Sequence, residues 1–208
     1  GRAITDDAVV REAAGQEILR RYFKASCEVR QGLADEDVLG RIEMIMRQLD
    51  LQEEERSVVA PARAAAKIKK APIMSIELGN EHIVAGKSSE LLTAPAAALI
   101  NAIKELSGIA DPIHLLSPVI LEPIIKMKRE TLKASATALN LADALIALSL
   151  CAATNPTVEL AMQGLTELNG CEAHSTVMLG SSDEDMLRRL GLNFTCDAEY
   201  ATNTLYNQ

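Results

Sequence analysis

The sequence predicts an α/β chain, with a helical subdomain over residues 1–71 followed by a three-layer α/β/α subdomain over residues 72–208. Three observations carry this. Residues 1–70 read as helices only, their apolar groups recurring at helical spacing. From Pro72 onward, short runs of β-formers alternate with helical stretches, the pattern of a sheet with helices on both faces. The chain has 208 residues, 48% of them hydrophobic and 24% charged, enough for one or two domains that bury their own cores.

The elements follow in order. From Asp6 to Arg30, Val10, Ala14, Ile18 and Tyr22 recur beside Leu19, Phe23 and Cys27, one stripe at helical spacing. Val38, Ile42, Ile45 and Leu49 mark a second helix, and Gln52 to Lys69 a third, rich in Ala and charge. Arg63, Lys67, Lys69 and Lys70 read as a solvated face and as helix-end charge that complements the macrodipole. After Pro72, Ile73–Leu78 and His82–Ala85 read as strands joined by a turn at Gly79-Asn80. A long helix follows to about Leu106, with Pro95 in its first turn, where a missing N–H costs little. Ile113–Leu116 reads as a strand, and Ser117-Pro118 opens another helix. Leu139–Ala153 is a nearly wholly apolar helix; Thr154-Asn155-Pro156 caps the next, which buries Val158, Ala161, Leu165 and Leu168. Ala173–Leu179 reads as a strand. Ser182 with Asp185 starts a helix that carries acids at Asp183 and Glu184, bases at Arg188 and Arg189, and a stop at Gly191. Asn193–Cys196 is the last strand.

Composition excludes several function classes. Two Phe, three Tyr and no Trp leave no aromatic platform on which bases could stack. A net charge of −8 opposes general binding to a phosphate backbone, so nucleic acid is not an expected partner. Over positions 1–70, 13 bases balance 13 acids, so the whole excess lies after them. The most apolar segment, Ala134 to Thr154, holds Asn140 and Asp143 near its middle. A central Asp costs about 2.5–3.5 kcal/mol in a bilayer, so a helix buried in a globular protein is expected and no membrane partner. No basic stretch leads into an apolar one at the start, and the opening Gly-Arg-Ala points to a fragment of a longer polypeptide. Cys27, Cys151, Cys171 and Cys196 form no C-x-x-C pair and read as buried, reduced thiols of a cytoplasmic protein.

Two segments carry candidate chemistry. Gly86-Lys87-Ser88 resembles the end of a phosphate loop, but position 81 is Glu where that loop needs Gly. What survives is a strand end, a turn at Gly86 and a helix N-terminus at Ser88 and Ser89, which could hold an anion with Lys87. The plainer reading is a strand–turn–cap joint with Lys87 in solvent. The second segment is Glu172-Ala173-His174-Ser175-Thr176. On a strand, Glu172, His174 and Thr176 share one face. His174 beside Glu172 could act as a general base while Ser175 and Thr176 orient a substrate; the plainer reading is a strand end with a satisfied histidine. No H-E-x-x-H, no H-x-E with C-x-x-C and no G-x-S-x-G occurs, so no metal is assigned. Lys126, Lys128, Arg129 and Lys133 form a local basic patch that could meet a phosphorylated ligand; the plainer reading is a solvated helix face.

The strings Gly-Lys-Ser-Ser-Glu-Leu (86–91), Leu-Ile-Asn-Ala-Ile-Lys (99–104), Glu-Ala-His-Ser-Thr (172–176) and Arg-Leu-Gly-Leu-Asn (189–193) resemble the C-terminal part of a bacterial family, the domain of unknown function DUF1846, also termed UPF0371. Ile-Thr-Asp-Asp near the start and Gln-Glu-Ile-Leu-Arg-Arg-Tyr (16–22) fit it too. The resemblance implies that members have a longer N-terminal region with a glycine-rich, phosphate-loop-like segment. It implies a helical subdomain followed by a three-layer subdomain whose topology is similar to the cytidine deaminase arrangement, and it supplies no established activity. A zinc-protease label carried by some members finds no motif here. Deamination does not transfer either, since the zinc ligands are missing.

Two readings result. In one, the whole polypeptide is an enzyme or binding protein for a nucleotide or another phosphorylated small molecule. Gly86, Lys87, Ser88 and Ser89 then meet an anion, His174 and Glu172 handle a proton, and the cofactor stays open. In the other, this region is a structural module. Its apolar helix 139–153 and its N-terminal helices form a packed core and a homo-oligomer contact, and it has no chemistry of its own.

Overall fold

Periodicity and side-chain size place the N-terminal helices. The computed structural model describes residues 7–79 and 81–201, and begins with α1 (Asp7–Arg30), α2 (Glu36–Gln48) and α3 (Val59–Lys69). Leu19 and Phe23 of α1 and Val59 and Ala62 of α3 are buried. The third helix is shorter than its sequence predicts. A single tight turn, Glu53–Glu55, is closed by reciprocal bonds between Gln52 and Glu55, and Arg56 then adopts an extended backbone. The Arg56 side chain turns inward, 1% exposed, and the helix restarts beyond it. α2 behaves differently. Val38, Ile45 and Leu49 of its apolar stripe stay exposed, and Met46 is its buried residue.

The strands form one four-stranded sheet in the order β2-β1-β3-β4, where β1 is Ile73–Glu77, β2 Ile83–Lys87, β3 Glu172–Ser175 and β4 Asn193–Cys196. β1 runs antiparallel to β2 and to β3, as a short hairpin allows; Asn80 of its predicted turn lies outside the described residues. β3 and β4 are parallel and therefore need a crossover, which α8 (Ser181–Arg189) supplies. Two predicted strands are corrected. Ile113–Leu116 is a loop: Ile113 N–H donates to Ala110 O, and Lys104 Nζ donates to Asp111 O at 2.6 Å, so local turns satisfy the backbone. The strand predicted to reach Leu179 stops at Ser175, whose hydroxyl donates to Val177 O and accepts from Val177 N, which curls the chain out of the sheet.

Strand alternation divides the sheet into two faces. Met74, Ile76, Val84, Gly86 and Ala173 share the face covered by α4 (Ala94–Leu106). Ser75, His174 and Thr195 share the other, beneath α1 and α3. The N-terminal helices thus supply one of the two helical layers. α5 (Pro118–Lys126), α6 (Leu141–Ala152) and α7 (Pro156–Gln163) complete the α4 side. Asn140 and Asp143 begin α6 rather than interrupt it: the Asn140 side chain accepts from Asp143 N, and Asp143 accepts from Asn140 N. Among the described residues, no helix is long and apolar enough to cross a membrane.

Candidate functional site

The β3 register sets His174 opposite Ser75, on the face that α1 and α3 cover. The imidazole is fully buried, its centroid 5.0 Å from that of the Phe23 ring. His174 Nδ1 lies 2.9 Å from Thr195 Oγ1, and Nε2 lies 3.3 Å from Asp197 Oδ1, off ideal hydrogen-bond alignment. Arg63 of α3 grips the same carboxylate: Nη2 donates to Asp197 Oδ1 at 2.6 Å and Nε to both oxygens at 3.2 Å. Arg63 also pairs with Glu53, which accepts from Tyr22 Oη at 2.9 Å.

The electrostatics follow from burial and charge. Burial pushes the Asp197 carboxyl up, but the neighbouring His174 and Arg63 outweigh it and hold it at about 2. Burial pulls the His174 imidazole below its usual range, with Asp197 working against it. Burial, together with Glu53, raises the Tyr22 phenol to about 12. The resting arrangement is a neutral imidazole, a carboxylate and a guanidinium, closed off from solvent at the ring. It can bind helix to sheet, and the imidazole itself has no exposed surface.

Glu172 does not orient His174. Its carboxylate pairs with Arg20 Nη1 at 3.1 Å and Arg56 Nη2 at 2.8 Å, and accepts from Asn193 Nδ2 at 3.2 Å. Arg56 also donates to Ala173 O and Asn193 O, which fastens the start of α3 across β3 and β4. Its Nε and Nη1 find no acceptor among the described residues. Ser175 is buried on the opposite face. Thr176 lies past the strand end, where its hydroxyl accepts from Ile73 N at 3.0 Å. Of the polar residues at 172–176, only Glu172 and His174 face α1 and α3, and each has different partners.

The Gly86–Ser89 corner is corrected more sharply. Gly86 and Lys87 are still in β2, and α4 begins at Ala94 with Thr93 as its N-cap, so neither Ser88 nor Ser89 caps a helix. Ser89 Oγ instead accepts from the amides of Leu91 and Leu92 in a local turn. A Cβ on Gly86 would stand 2.0 Å from Ala98 N: the glycine lets α4 lie directly on the sheet. Lys87 shares a sheet face with His174, but it sits on the edge strand and is exposed, with β1 between the two.

A buried acid stands beside the N-cap of α4. Asp183, in the first turn of α8 and 7% exposed, accepts from Leu141 N at 2.7 Å and from Thr93 Oγ1 at 3.5 Å. Three helix N-termini, those of α4, α6 and α8, therefore meet at one buried carboxylate, the charge that such termini favour. Burial pushes this carboxyl up, against the bond from Leu141. The basic patch is partly spent as well, since Lys128 Nζ donates to Ala138 O and Asp143 Oδ2 at 2.7 Å each.

Sequence reasoning misses Asp197, Arg56 and the long-range roles of Arg63 and Asp183. One signal is present: extending the alternation of β4 puts Thr195 and Asp197 on one face. Arg56 gives none, because it closes the acidic run Glu53-Glu54-Glu55 and looks solvated.

Family models match the chain over nearly its full length. Residues 1–50 match the domain of unknown function DUF1846, N-terminal, and residues 54–206 match DUF1846, C-terminal. The chain belongs to the DUF1846 family. Its relatives include UPF0371 proteins of Clostridium tetani, 47% identical, Clostridium botulinum (strain Langeland), 48%, and Clostridioides difficile (strain 630), 46%. Each alignment covers 99% of this chain and 43% of the relative, so the chain spans less than half the length of the curated relatives it matches. The boundary between the two DUF1846 models, at residues 50–54, falls just after α2.

Proposed function

We infer that this region is a structural and docking module of a longer DUF1846 polypeptide, and that the chemistry of the whole protein lies elsewhere. The observation that carries this is the burial of His174. The one candidate base is sealed, and its ring nitrogens face Thr195 and Asp197 in a network that fastens α1 and α3 to the sheet. The placement of Asp183 supports the same reading, because a carboxylate beside the α4 N-cap disfavours a second anion there.

The test is a thermal-shift screen with nucleotides and sugar phosphates, run on this chain and on the full-length Clostridium tetani relative. This chain is expected to show no ligand-dependent shift. Any shift in the relative is expected to survive replacement by Ala at the positions aligned with Lys87 and His174. A shift in this chain that Lys87→Ala abolishes would return the region to the phosphorylated-ligand reading.

A further inference from the structure

α2 carries an apolar seam that the described structure leaves about half exposed. Val38, Ile42, Ile45 and Leu49 follow a 4-3-4 spacing, which lines up one narrow stripe along a helix. Such a stripe normally faces a core. Here Val38, Ile45 and Leu49 are 45%, 44% and 56% exposed, while the adjoining face of α2, through Met46, packs inward. The seam runs at Leu49 into a groove of about 620 Å³ between the start of α1 and the end of α2, lined in part by Ala14, Gly15 and Leu51. Gly15 keeps the groove floor low: a Cβ there would meet Leu51 Cδ2 at 3.1 Å.

We propose that this seam and groove form the docking surface for a helix from the part of the DUF1846 polypeptide that lies outside this chain. The proposal rests on the module reading above and names its partner. Three observations select that occupant. α1 and α2 fall within the match to the family's N-terminal model, whereas everything from residue 54 onward belongs to the C-terminal one. More than half the length of the relatives lies outside the matched part, since 43% is covered. The seam is also short. α2 has 13 residues, so it is about 20 Å long, fewer than two heptads. One short helix face is a small part of the roughly 800 Å² per partner that a stable interface between separate copies buries. A segment of the same polypeptide docks at high effective concentration and loses far less association entropy, so a short seam suffices. The occupant is an amphipathic helix that presents aliphatic side chains at the same 4-3-4 spacing.

Hydrogen exchange with mass spectrometry tests this on the chain and on the full-length Clostridium tetani relative. Amides of α2 are expected to exchange about tenfold more slowly, or slower still, in the relative. Glu at the position aligned with Ile45 should restore fast exchange in α2 while amides aligned with β1 stay protected, which shows that the variant remains folded. Equal α2 exchange in the two proteins overturns the proposal. So does a dimer of the chain alone, seen by sedimentation and abolished by Ile45→Glu, because it assigns the seam to a second copy. Neither result touches the ligand screen, so the docking proposal and the module reading can fail separately.

Discussion

His174 shows how burial decides the meaning of a residue. The sequence places a histidine next to a glutamate and two hydroxyls, a set suited to proton transfer. The fold spends each one separately: Glu172 on Arg20 and Arg56, Ser175 on Val177, Thr176 on Ile73, and His174 on Thr195 and Asp197. The pH dependence follows from the direction of the shifts. The His174 pKa is lower in the folded state than its usual 6.5, so below about pH 6.5 the unfolded chain binds more protons and stability falls as the pH drops. Asp197 shifts in the same direction. Its folded value of about 2 lies below the usual 3.8, so its contribution is complete above about pH 4 and is lost between there and pH 2. Urea denaturation at pH 7 and pH 5 is expected to show a loss of stability on acidification that is smaller in His174→Gln. An unchanged loss would mean that the ring is not held neutral. Asp197 is the harder residue to see. Its role depends on the parallel register that aligns β3 with β4, and no local pattern encodes that pairing.

Elements are more legible than contacts. The starts of α5 and α7 follow from Ser117 and Asn155, each at the N-cap of its helix, whereas Asn140, which reads as lying inside an apolar helix, caps α6. The hairpin β1–β2 and the last strand are also readable from β-formers and turn residues. What fails are joints whose role lies across the fold. Gly86 reads as part of an anion loop and is a packing glycine; Asp183 reads as a local helix acid and serves three helices. Each has a measurable consequence. Gly86→Ala forces β2 and α4 apart at Ala98 and is expected to cost about 2–3 kcal/mol, read from the urea midpoint. Asp183→Ala leaves Leu141 N–H buried without an acceptor and is expected to cost about 1–3 kcal/mol. Asp183→Asn keeps an acceptor oxygen there and should cost clearly less. Equal losses for the two variants would show that the charge, and not the bond to Leu141, is what the three N-termini require.

At the scale of the whole molecule, the sequence suggests two subdomains because helices precede strands. The contacts argue that residues 7–69 act as a layer of the sheet. Phe23 lies on His174, Arg63 holds Asp197, and Arg56 crosses β3 and β4 to reach Glu172. These bonds join residues more than a hundred positions apart, so composition and periodicity cannot reveal them. Without the N-terminal helices, one sheet face would expose His174, Ser75 and Thr195 together. Asp197 would lose its guanidinium partner, and the apolar area that offsets chain entropy would shrink on one side of the sheet. We therefore expect residues 72–208 alone to lack a unique fold, with poorly dispersed amide signals in a proton–nitrogen NMR spectrum, and residues 1–208 to unfold in one cooperative transition. The same spectrum distinguishes the alternatives. Well-dispersed signals from residues 72–208 that match those of the whole chain would establish an independent subdomain and reduce the Arg56 and Arg63 bridges to surface latches. If the shorter piece collapses without fixed structure, the N-terminal helices belong to the sheet they cover, with Phe23, Arg56 and Arg63 among the contacts that join the layers.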